Sequence, residues 1–212
     1  MLAHIPGEGM SAERSNLVAR AFRLEWLAVG WMAIEVVAGL AAGVMAGSVA
    51  LVAFGADSVI ELVSAGVLIW RLSVEIKHGA AFPEAVERRA ARIAAALLFA
   101  LVLYVLASAS WSLATRSGQR FSPLGLGVTL TALPLMILLS RAKLAIAERL
   151  DSRAMRADAV ESAACAYLSA VVVVGLVAQW LFGAWWIDGV TALALVPMLV
   201  REGWEAWLGD ED

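Results

Sequence analysis

Six long apolar stretches divide this chain, each bounded by charged or turn-forming residues. They run from Leu24 to Ala46, Ser48 to Leu72, Ala91 to Ala114, Leu124 to Ser140, Ala157 to Phe182 and Trp186 to Trp207. A helix needs about 20 mostly apolar residues to cross a bilayer, so each stretch predicts a membrane span. The fourth is short and holds Pro134, and the sixth holds Pro197. Inside a bundle such prolines bend helices rather than end them. The pattern predicts an all-α membrane protein: a six-helix transmembrane bundle over residues 24–208, preceded by a segment 1–23 and followed by a short acidic tail 209–212.

Composition agrees with the pattern. Hydrophobic residues make up 62% of the 212, with a mean hydropathy of +0.82, against about 45–50% in a soluble domain. Little is left for a soluble domain. The single cysteine, Cys165, excludes an internal disulfide. Eight of the nine tryptophans, Trp26, Trp70, Trp111, Trp180, Trp185, Trp186, Trp204 and Trp207, lie near span ends, where an aromatic belt belongs. The first residues carry acids and no apolar core, unlike a cleaved signal peptide. The basic residues give an orientation. All of the 16 Lys and Arg except Arg116 and Arg120 fall before the first span, between the second and third, between the fourth and fifth, or near the C-terminus. The positive-inside rule then places both termini in the cytoplasm. A multi-pass protein of the plasma (bacterial inner) membrane is expected, with no nucleic-acid partner.

The exceptions to the apolar pattern carry the chemistry. Asp57 and Glu61 sit four apart in the middle of the second span, so they share one helix face. Each ionised carboxylate at mid-membrane costs at least about 2.5–3.5 kcal/mol, and two on one face repel. Such a pair is tolerable only when it faces a bundle interior and meets cations or protons. In the fifth span Asp158, Glu161 and Cys165 follow one face at i, i+3 and i+7. Asp158 equally fits an acid placed at a helix start for the dipole, and a lone cysteine fits a small buried hydrophobe. Glu35, in the first span, either lines the ion path or is a hydrogen-bonded packing residue. It precedes Gly39, Gly43 and Gly47, a ridge that lets a second helix approach closely. Asp188 reads as an interfacial cap. Phe82-Pro83-Glu84 reads as a helix start, and Glu75 and His78 as a solvated loop. The third and fourth spans hold no carboxylate and read as packing or dimer surface.

Glu35, the glycine ridge, Gly47-Ser48-Val49-Ala50-Leu51 and then Asp57 and Glu61 resemble the first two helices of the cation diffusion facilitator family of zinc and manganese transporters. Arg156-Ala157-Asp158-Ala159-Val160-Glu161-Ser162 resembles the family's second ligand helix, and Trp185-Trp186-Ile187-Asp188-Gly189 its sixth. Phe54-Gly55 ahead of Asp57, and Ser152-Arg153-Ala154 ahead of Asp158, are similar to a tail-less six-helix branch. Three departures stand out: Glu161 where the family usually has His, Cys165 where it usually has Asp, and no counterpart of the cytoplasmic C-terminal domain or of a His-rich loop.

The resemblance implies a secondary transporter of divalent cations, Zn²⁺ favoured with Mn²⁺, Fe²⁺ and Co²⁺ as other substrates, driven by exchange with protons. The metal is cargo; no tightly bound cofactor and no enzymatic activity are expected. A homodimer is implied. The candidate ligands are Asp57, Glu61 and Glu161, with Cys165 ahead of Asp158 as the fourth. The alternative is a metal-binding membrane protein that modulates a partner transporter without transporting. Topology is the first test. Reporters fused at residues 1 and 212 are expected to score cytoplasmic, and an external score for either would overturn the six-span reading.

Overall fold

A computed structural model of the chain describes residues 7–78 and 84–208. Six α-helices account for nearly all of them: α1 (Gly7–Ala46), α2 (Val49–His78), α3 (Glu84–Thr115), α4 (Pro123–Leu150), α5 (Arg153–Phe182) and α6 (Ile187–Leu208). There is no strand among the described residues. Glu75 and His78 do not lie in a loop: α2 runs on through both to His78, although their side chains, like the residues Phe82 and Pro83, lie outside the described ones; α3 begins at Glu84. The helical-bundle expectation holds, and several boundaries move. Helix α1 begins well ahead of Leu24. Helix α4 does not stop near Ser140 but continues to Leu150, straight through Pro134. Lys143 is therefore not a loop cation: it is fully buried inside α4.

Five helices are long and apolar enough to span a membrane, over residues 16–46, 49–70, 91–115, 123–150 and 155–182. Helix α6 falls short of that pattern because Asp188, Arg201, Glu202 and Glu205 share its 22 residues. Its length, about 33 Å at 1.5 Å per residue, matches the bilayer core, and it packs along α3. Outward faces are apolar, as lipid requires: Val37, Val44, Leu103, Val174 and Phe182 are all exposed, as are the eight span-end tryptophans.

Helix α2 is the centre of the bundle, touching α1, α3, α5 and α6. Its closest neighbour is α1, and glycine is the reason. A Cβ on Gly43 would stand 2.7 Å from Val52 N, and one on Gly55 2.8 Å from Leu40 N. The backbones meet with no room for a side chain, so dispersion contacts replace the hydrophobic drive that lipid cannot supply. Gly47 does something else. Its φ of 68° ends α1, with Ser48 N donating to Gly43 O at 2.9 Å in a Schellman-type closure.

The turn that follows is held from α6. Ser48 Oγ donates to Asp188 Oδ1 at 2.6 Å, Val49 N donates to Asp188 Oδ2 at 2.7 Å, and Leu51 N donates to Ser48 Oγ at 3.1 Å. Asp188 is buried. It is a cap, as its sequence position suggests, but the helix it caps is α2. Arg120 N donating to Ala46 O, and Gln179 Nε2 donating to the Gln119 carbonyl, fasten the α3–α4 connection and the end of α5 to the same end of the bundle. Asp188→Ala strips a hydroxyl and at least one amide of their acceptor. It is expected to cost about 2 kcal/mol or more, read as a lowered melting temperature in detergent, with Asp188→Asn intermediate.

Candidate metal centre

Helix α2 carries Asp57 and Glu61 one turn apart into the bundle interior, where they are 1% and 6% exposed. None of their four carboxylate oxygens has a hydrogen-bond partner. Buried polar atoms nearly always find a partner, and an ionised carboxylate left alone in a low dielectric is among the costliest groups a fold can hold. The two acids also repel each other. The site is thus built to be neutralised by something other than protein.

Glu61 meets Glu35 of α1 and Cys165 of α5. One ligand atom from each lies within 4.8 Å of the other two, and all three residues are buried. A tetrahedral ion with bonds of about 2.0–2.3 Å would close that spacing by small side-chain movements. Glu35 is held in place: Trp31 Nε1 donates to its Oε1 at 2.6 Å, Ser58 Oγ lies 3.5 Å from its Oε2, and the Cys165 thiol donates to Oε2 at 3.9 Å. Trp31 is the one tryptophan away from the span ends, and this bond explains its position.

The sequence-derived candidates separate into groups. Glu61 and Cys165 converge, joined by Glu35, for which packing and ligand roles were equally open. Asp57 stands beside them and within electrostatic reach of Glu35. Glu161, half-buried on α5, lies within electrostatic reach of Asp57. Asp158 is turned elsewhere: Lys143 Nζ lies 2.5 Å from its Oδ2 and 3.1 Å from Glu25 Oε2. Three charged residues near these groups escape a reading by spans. Glu25 looks like a residue at the mouth of the first span, Lys143 like a loop cation, and Glu202 like the polar end of α6. Glu202 is half-buried and interacts with Asp57, Glu61 and Glu161. Its charge inside a helical run was the one available signal.

The cation efflux transmembrane-domain family matches residues 26–207. The chain belongs to the cation efflux family. No curated protein matches it. It is an integral membrane protein of a transporter family, and its work is the movement of metal cations across a membrane. The matched segment contains every acid of the centre, while Glu25 lies just outside it.

Buried carboxylates without partners lower the stability of the metal-free chain. The D57N/E61Q variant removes both charges at nearly constant shape. Its metal-free melting temperature is expected to exceed the parent's by several degrees, about what a gain of 1–2 kcal/mol gives. A lower melting temperature would mean that the carboxylates serve the fold.

Proposed function

We propose that the chain is a divalent-cation/proton antiporter of the plasma (bacterial inner) membrane, with Zn²⁺ as its favoured substrate and Mn²⁺, Fe²⁺ or Co²⁺ as weaker ones. The observation that carries this reading is the set of four partnerless carboxylate oxygens on α2. Glu61, Glu35 and Cys165 supply the first contacts, and Asp57 and Glu161 complete the shell as it tightens. A thiolate beside carboxylates favours borderline-soft ions such as Zn²⁺ over Mn²⁺.

Proton exchange follows from the same donors. Carboxylates and the thiol must lose their protons before they bind metal, so metal and protons compete for one set of atoms. Opening the centre alternately to the two faces turns that competition into antiport: metal enters on one side as protons leave, and the reverse happens on the other. Asp57, Glu61 and Glu35 are fully enclosed in the present arrangement, which suits an occluded step. Both termini are placed in the cytoplasm by the loop charges, and a homodimer is the assembly proposed.

Purified protein in liposomes with an internal pH dye tests this directly. Zn²⁺ outside is expected to drive proton movement that Asp57→Asn or Glu61→Gln reduces at least tenfold with normal insertion. Zn²⁺ affinity is expected to fall as pH is lowered. Cys165→Ser is expected to weaken Zn²⁺ and Cd²⁺ more than Mn²⁺. Metal binding without any metal-driven flux would instead favour a non-transporting protein that modulates a partner transporter.

A further inference from the structure

Glu25, Lys143 and Asp158 come from α1, α4 and α5 and are buried together away from the acids of α2. A latch between helices needs one ammonium and one carboxylate. Here a single ammonium faces two carboxylates, and Glu25 Oε1 is buried with no partner. With both carboxyls ionised the triad would carry one negative charge more than its lysine neutralises, in a place where uncompensated charge is strongly disfavoured. An apolar cluster of Leu17, Val18, Leu68, Ile146 and Met155 closes the bundle just beyond it. On its other side Asp158 stands one helical turn from Glu161, and Glu161 interacts with Lys143, Asp158 and Asp57. Along α1 the ten residues from Glu25 to Glu35 span about 15 Å. The triad therefore lies between the apolar closure and the metal centre.

We propose that Glu25 and Asp158 form a second cation-binding position, between the apolar closure and the metal centre, whose occupant in this structure is the tethered ammonium of Lys143. The donors are carboxylate oxygens alone, so the position suits hard divalent ions such as Mn²⁺ rather than thiolate-seeking ones. Lys143 then acts as a built-in competitor: an arriving ion takes Asp158 as the lysine leaves it. That this position is a station on the transport route rests on the antiport reading; that it holds a cation does not.

The test removes the metal centre first. In a D57N/E61Q background, Mn²⁺ binding to the full chain in detergent is followed by electron paramagnetic resonance, and melting by tryptophan fluorescence. The lysine-bearing background is expected to bind Mn²⁺ at least tenfold more weakly than the same chain with K143M. The K143M chain should take up one ion and gain about 5 °C or more in melting temperature with saturating Mn²⁺. Adding E25Q and D158N should abolish both effects. A folded K143M chain that binds no more Mn²⁺ than its background would overturn the proposal, as would binding that survives E25Q and D158N. A K143M chain that folds neither with nor without Mn²⁺ also overturns it, because a replacement cation would restore the balance that the lysine supplied. All of these outcomes are independent of transport, so failure of the antiport reading leaves them unchanged.

Discussion

A pair of buried, partnerless carboxyl groups at the centre of α2 is the constraint that the rest of the bundle answers to. Asp57 and Glu61 sit on the one helix that neighbours four others, so no lipid-facing escape is open to them. Their oxygens have no protein donors, and the surrounding helices add more acid rather than base: Glu35 from α1, Glu161 from α5 and Glu202 from α6. A fold selected for stability alone would place an arginine or an apolar side chain there. The absence of such compensation sets this region apart from an ordinary packed core.

Holding α2 in so unfavourable a position takes strong support at its edges. The glycine faces at Gly43 and Gly55 bring α1 and α2 into backbone contact, and Asp188 caps the start of α2 from across the bundle. The network of Ser48, Asp188, Arg120, Gln119 and Gln179 knits one end of the molecule together. At the other end the contacts are the apolar cluster around Leu68 and Met155 and the Glu25–Lys143–Asp158 triad. One end is closed by a network of hydrogen bonds, the other by apolar packing and one buried ion-paired triad.

Much of this was legible along the chain. Apolar stretches of span length mark the helices, carboxylates inside them mark Asp57, Glu61 and Glu161, and the shared helix face adds Cys165. The glycine ridge foretold the α1–α2 contact, although Gly47 turned out to end α1 instead of packing. What was not legible depends on helix rotation and register. Nothing in the local pattern tells that α4 runs on past Ser140, since Arg141 and Lys143 look like the basic flank of a shorter span. Nor does spacing on α5 tell which of Asp158 and Cys165 turns toward α2. That choice is made by a partner, Lys143, whose own placement follows from the α4–α5 pairing. Glu35 is similar: its proximity to Cys165 is a property of two helices 130 residues apart.

Helices α4 and α5 are joined by only Asp151 and Ser152, with Ser152 capping the start of α5. So short a hinge, with the two helices packed along each other, makes the hairpin a single body. Lys143 and Asp158 both belong to it, so their bond travels with it. Glu25, Glu35 and Glu61 belong to the other body, α1 with α2. The line between these two bodies runs between Glu25 and Lys143 and again between Glu35 and Cys165. Any relative motion that parts the hairpin from α1 and α2 must break both pairings in one event. Two spatially separate charge clusters thereby share a single mechanical coordinate.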